Sequence, residues 1–222
     1  MKKSISLVLA TLFLLSCFLT SCGKSKIALP DGDRSYQIQK SGAKRIITVY
    51  ENNEKIWETK ERVKNSASNL GDTHGVEVLD LNFDGYNDIK VAISEEDDKI
   101  ASACYLQNPN TGLYEKSPAL AELFTIDVLP EQQLVLSYLG VTTDIVIGSS
   151  VETVIAYKWQ GDGLLPYRKL TITYYPLEDR YCYGAAEYLN ESLQFDEPIE
   201  RWFTPEEFSQ VDMSFFYYFK NS

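Results

Sequence analysis

The chain has 222 residues, with 21 Lys+Arg against 32 Asp+Glu and a formal net charge of -11. At 44% hydrophobic and 13% aromatic residues it can bury a core, so general disorder is excluded. The acidity argues against nucleic acid as a partner, and the single histidine, His74, excludes a multi-histidine metal site.

Residues 1–21 read as a lipoprotein signal peptide. Lys2 and Lys3 form a basic start, an apolar run follows from Ile5 to Leu19, and the run is short for a spanning helix. It closes on Leu19-Thr20-Ser21-Cys22, which resembles the lipobox of bacterial lipoproteins, with small residues before a cysteine that takes the lipid. Lipidation of Cys22 would tie the protein to a membrane that the rest of the chain does not enter. The expected location is therefore the cell envelope, lipid-anchored. Gly23, without an acidic neighbour, favours the outer membrane. Removing residues 1–21 discards two lysines and no acids, so the remaining charge is 19 − 32, or -13. Cys17 leaves with the signal and Cys22 carries lipid, which leaves Cys104 and Cys182. In an oxidising compartment these two either form a disulfide or remain as buried thiols.

Residues 22–34 are polar, contain Pro30 and Gly32, and lack periodicity, so a lipidated tether is expected there. From 35 to 222 a single β-rich domain is expected. Lys44–Tyr50 and Lys55–Thr59 flank Glu51-Asn52-Asn53-Glu54 as a hairpin. Val76–Leu79 and Ile89–Ile93 flank a loop of Asp, Asn and Gly. Ile100–Leu106 and Leu113–Glu115 flank a turn at Asn108–Gly112. Strands are expected next at Leu134–Leu139, Asp144–Ile147, Thr153–Trp159 and, after Gly161-Asp162-Gly163, Leu170–Tyr175. Thr153, Ile155, Tyr157 and Trp159 share one strand face, with Val154, Ala156 and Lys158 on the other.

Two short helices interrupt the series. Pro118–Phe124 follows a Ser117 cap, and Thr204-Pro205-Glu206-Glu207 has the layout of a capping box, with Phe203 and Phe208 placed for a hydrophobic staple. Phe215–Phe219 reads as a buried terminal element. The expected fold class is mainly β, an antiparallel meander, propeller-like or a sandwich, with one or two short helices.

One loop has the composition of a metal site. Asp80-Leu81-Asn82-Phe83-Asp84-Gly85-Tyr86-Asn87-Asp88 offers the side chains of Asp80, Asn82 and Asp84, the carbonyl of Tyr86, and Asp88, with Gly85 permitting the bend. Ca²⁺ takes six to eight oxygens at about 2.3–2.6 Å from such a curled loop. An EF-hand needs Glu at position 12, where this chain has Val91, and the flanks read as strands. A strand–loop–strand calcium site is therefore expected. Oxygen-only donors disfavour zinc and copper, and the competing reading is an Asp/Asn/Gly turn with no metal. Phe83 and Tyr86 are expected to pin the loop to the core. Glu95-Glu96-Asp97-Asp98 reads as a solvated turn.

Asp80–Asp88 resembles the calcium loops of FG-GAP and integrin-type propeller blades. It is closer still to a family of bacterial periplasmic and lipid-anchored proteins with one Asn-Phe-Asp-Gly-Tyr-x-Asp loop, which is followed by an Asn-x-x-Thr-Gly turn and an aromatic residue. Asn108, Thr111, Gly112 and Tyr114 match that continuation. The resemblance spans roughly residues 74–175. It implies a propeller-like calcium-binding domain, and some relatives of this kind inhibit lysozyme-like hydrolases or serve as immunity proteins.

Enzyme readings are weak. His74 has no nucleophile elbow near it, since Gly148-Ser149-Ser150 lacks the closing glycine. An unrecognised carboxylate pair stays open. The expected function is non-catalytic binding of a macromolecule, in its sharpest form inhibition of a basic cell-wall hydrolase. The alternative is a glycan-binding or envelope-architecture module with Trp57, Trp159 and Trp202 as stacking surfaces.

Overall fold

The computed structural model describes residues 26–31, 33–64, 73–97, 99–144, 148–189 and 192–210, with 26–31, 185–189 and 192–200 as backbone only. The expected signal peptide, Cys22, strand residues 145–147 and the aromatic run 215–219 lie outside these residues. Among the described residues no helix is long and apolar enough to cross a membrane.

The fold is mainly β, as expected, and every sheet is an antiparallel meander of chain neighbours. The first sheet runs β1 (Lys26–Asp31), β2 (Arg34–Ser41), β3 (Lys44–Glu51) and β4 (Glu54–Arg62). The second holds β5 (Val76–Leu79), β6 (Asp88–Glu96), β7 (Lys99–Gln107) and β8 (Tyr114–Lys116). The third has six strands: β9 (Ile126–Leu129), β10 (Leu134–Thr143), β11 (Ser150–Gln160), β12 (Gly163–Tyr175), β13 (Arg180–Leu189) and β14 (Ser192–Phe203). Helix α1 (Pro118–Ala121) joins the second sheet to the third, and α2 (Pro205–Phe208) follows β14.

The chain divides into two compact units, one ending at Lys60 and one starting at Glu61. The physical reason is pairing: β1 to β4 form a sheet whose ladder includes no strand of the other two. The expected tether over 22–34 contains β1, which pairs with β2 from Lys26↔Gln39 to Asp31↔Arg34. Within the first unit, Tyr36, Ile38, Ile47 and Val49 are fully buried. They alternate along β2 and β3, so each strand buries one face. Asn52 and Asn53 both take positive φ, 50° and 65°, at the β3–β4 turn. That is the conformation a two-residue hairpin needs, and asparagine tolerates it.

In the second unit the six-stranded sheet buries both faces. Leu134, Leu136, Val154, Ala156, Leu170, Ile172 and Tyr183 form one cluster, against which Phe203 and Phe208 pack. Leu81, Cys104, Leu120, Leu123, Ile126 and Val135 form another, joined by Phe83, Tyr157 and Trp159. The alternation expected on β11 is realised: Val154 and Ala156 serve one cluster, Tyr157 and Trp159 the other. A bulge after Ala156 does not break that assignment.

Both helix caps are as expected. Ser117 Oγ accepts from Leu120 N at 3.3 Å. Thr204 Oγ1 accepts from Glu207 N at 3.2 Å, and Thr204 N donates to Glu207 Oε2 at 2.9 Å, closing the capping box. The staple pair Phe203 and Phe208 lies edge-on with centroids 6.3 Å apart. The helix expected over Pro118–Phe124 stops at Ala121, because Phe124 N donates to Ser137 Oγ across the sheet instead.

Cys104 and Cys182 do not form the disulfide that the sequence leaves open. Cys104 lies on β7 of the four-stranded sheet and Cys182 on β13 of the six-stranded one, and each is a buried thiol. Burial pushes the Cys104 thiol up to about 12.

Candidate metal-binding loop

The Asp80–Asp88 segment joins β5 to β6, adjacent antiparallel strands paired from Val76↔Val91 to Leu79↔Asp88. The ladder thus ends on Asp88, and the eight residues 80–87 must turn the chain back over the end of the sheet. Phe83 (φ 62°) and Gly85 (φ 86°) supply the left-handed steps. Phe83 adopts this conformation at a cost that its packing against the core offsets.

The loop winds around its own side chains. Asp80 Oδ2 accepts from Gly85 N at 2.9 Å, and Asp80 Oδ1 accepts from Asp84 N at 3.2 Å. The same Asp84 N–H is shared with Asn82 Oδ1 at 3.3 Å. Asp84 Oδ1 accepts from Tyr86 N at 2.9 Å, and Asn82 Nδ2 donates to Asp84 Oδ2 at 2.9 Å. Asp80, Asn82 and Asp84 are therefore brought together at the open side of one turn.

Asp88 is placed differently. It is fully buried, and its two oxygens accept from Leu81 N and Gln107 N, each at 2.8 Å. One carboxylate thus ties the start of the loop to the end of β7. Burial raises its pKa to about 7; the two backbone bonds oppose the shift, and the charges of Asp84 and Asp80 add to it. Leu81, fully buried, and Phe83 anchor the loop from below. The expected anchor Tyr86 is 44% exposed and does not pack inward. Trp159 Nε1 donates to Leu81 O at 2.9 Å, a support from β11 that no local pattern reveals.

Among the described residues no three His, Cys, Asp or Glu side chains converge as a metal-holding group. The reason is Asp88, whose oxygens face backbone amides below the loop. The donor chemistry nonetheless suits a hard cation. Every candidate atom is oxygen, from Asp80, Asn82, Asp84 and the Tyr86 carbonyl, and a carboxylate oxygen that accepts one N–H keeps a second lone pair. Those four residues match a hard cation in donor chemistry, while Asp88 bonds the backbone beneath the loop.

His74, beside the loop in sequence, sits in a turn at φ 56° ahead of β5. Trp57 lies on β4 in the first unit. In the second unit Trp202 packs at a tilt against Tyr175 with centroids 5.1 Å apart, and Trp159 supports the loop. Lys90 on β6, nearly buried, pairs with Glu77 at 3.0 Å and donates to Ile126 O at 2.7 Å, so it bridges the second and third sheets. Sequence reasoning had no means of finding these roles of Gln107, Trp159 or Lys90, because each acts on a residue more than 15 positions away.

No known family matches the chain, and no curated protein matches it in sequence. Among solved structures it is similar to one described as a Xanthomonas type IV secretion system related protein, with 10% sequence identity and a TM-score of 0.51. The match covers 78% of this chain and 93% of that one. At that identity the likeness is one of fold.

Proposed function

We propose that this chain is a lipid-anchored, non-catalytic binding protein of the cell envelope whose Asp80–Asp88 loop takes a calcium ion. The observation that carries the metal reading is the winding of Asp84 N and Gly85 N onto Asp80, which gathers three oxygen-bearing side chains at one turn. Bound calcium would supply charge compensation and local order, joining residues that otherwise repel. The chain's own contribution is the frame: Asp88 and Trp159 hold the loop to β7 and β11, and Leu81 fixes its base.

The partner in this reading is a macromolecule, most sharply a basic lysozyme-like hydrolase, in the manner of an immunity protein. Three things support it: the acidity of the chain, the resemblance carried by the loop, and a fold like that of a protein described as type IV secretion system related. The non-catalytic reading is supported by the sequence, which holds one histidine, His74, and no nucleophile elbow.

The test is an inhibition assay. Full-length protein in detergent should suppress a muramidase or a neighbouring secreted lytic effector at near-stoichiometric amounts. Undiminished lysis across hydrolase classes at saturating protein would overturn the inhibitor reading.

A further inference from the structure

Beside the loop lies a cavity of about 390 Å³, walled by the loop, the turn after β7, β8 and the β11–β12 hairpin turn. Its size is in the range of small-ligand pockets. Gln107 lines it while being 94% buried, as its relative exposure is 6%. The Gln107 Oε1 accepts from Tyr114 at 3.2 Å, which leaves its Nε2 without an acceptor among the described residues. A buried amide donor at the wall of a cavity loses about 1–3 kcal/mol unless something accepts from it.

The other walls narrow the chemistry. Asp84, Glu115 and Asp162 present carboxylates, and none of them pairs with a cation among the described residues. The cation at the rim, Lys116, is held by Glu61 at 2.8 Å. An anionic ligand is therefore repelled. A bare ammonium or guanidinium would suit the carboxylates but could accept nothing from Gln107. The occupant needs both hydroxyl-type donors and acceptors, no negative charge, and an apolar face for the half-buried indole of Trp159. A sugar ring has all of these, with hydroxyls on its edge and C–H groups on its faces.

We infer that this pocket is a subsite for an uncharged saccharide. It shares Asp84 with the calcium loop but does not depend on the metal, since Gln107, Glu115, Asp162 and Trp159 line it without being among the candidate calcium donors. It also stands apart from hydrolase inhibition, because the ligand is a sugar and not an enzyme surface.

The test uses full-length protein in a sugar-free detergent with chelator present, followed by two-dimensional NMR. The probes are chitotriose and maltotriose as neutral sugars, trigalacturonate as an anionic one, and a lysine/arginine heptapeptide. The expected result is that a neutral trisaccharide shifts the Gln107 side-chain amide and the Trp159 indole signal, while trigalacturonate shifts neither. Gln107→Leu should weaken binding about tenfold, one hydrogen bond's worth. Asp162→Ala, at an exposed turn where folding is not at risk, should weaken it several-fold. No shift with either neutral sugar at about 10 mM, enough to saturate a site tighter than about 1 mM, would overturn the proposal. So would displacement of the same two signals by the basic peptide alone, which would assign the pocket to a polypeptide.

Discussion

Replacing Asp88 with alanine should strip the loop of its frame. The wild-type carboxylate satisfies two buried N–H groups, Leu81 N and Gln107 N, at 2.8 Å each. Alanine orphans both, at about 1–3 kcal/mol apiece. Part of this is offset, because the substitution also removes a buried charge that already resists ionisation, its pKa standing near 7. The net loss should be about 2–4 kcal/mol. For a chain of this size each kcal/mol moves the melting temperature about 2–4 °C, so a fall of roughly 5–15 °C is expected in chelator. Asn in place of Asp88 keeps one acceptor and sets an NH₂ against the other N–H, so it should lose about half as much. Hydrogen exchange localises the effect: in the alanine variant the amides of Leu81 and Gln107 should lose protection before those of β12. A variant that melts within about 1 °C of wild type with both amides still protected would refute the argument, since changes that small belong to surface substitutions.

Other consequences can be checked separately. Trp159→Phe deletes the indole bond to Leu81 O while keeping most of the packing, so stability should fall by about 1 kcal/mol, read by urea denaturation. Leu81→Ala empties a fully buried site under the loop and should cost about 2–5 kcal/mol in the same assay. The Cys104 thiol, pushed up to about 12 by burial, holds almost no thiolate at pH 8. Its alkylation by iodoacetamide should therefore be slow in the folded protein and fast in urea, as followed by peptide mass spectrometry. Rapid modification of folded protein would contradict its placement.

What the sequence discloses follows from the range of each interaction. The hairpin at Asn52-Asn53, the Thr204 capping box and the β5–loop–β6 unit are encoded within a few residues, and all three form where the local chemistry puts them. β1 was hidden because Pro30 and Gly32 read as tether, although β1 is an edge strand, where proline's missing N–H costs little. β13 and β14 escaped notice because Arg180–Phe203 carries neither a clear alternation nor a run of β-branched residues. The sequence also separates Leu134–Leu139 from a later strand, whereas β10 runs on to Thr143 through a bulge at Leu139.

The loop shows the same division between local and distant causes. Its composition and bend were legible residue by residue. The inward turn of Asp88 was not, since it depends on Gln107, 19 residues away. Likewise Tyr86 looked like an anchor because it is aromatic, yet Leu81 at position 2 takes that place and leaves Tyr86 at the surface. Cys104 and Cys182 are both buried free thiols, an outcome set by where the fold carries each side chain, which spacing in the sequence does not disclose.

The central claim is that the Asp80–Asp88 loop is a calcium site, and a calcium-dependent melting curve tests it most directly. A ligand present at 100 times its dissociation constant adds about 2.7 kcal/mol, which corresponds to a rise of roughly 5–11 °C here. The account predicts that rise for the wild type on adding calcium after chelation, and its disappearance in Asp84→Ala. Superimposable wild-type curves with calcium and with chelator would contradict it.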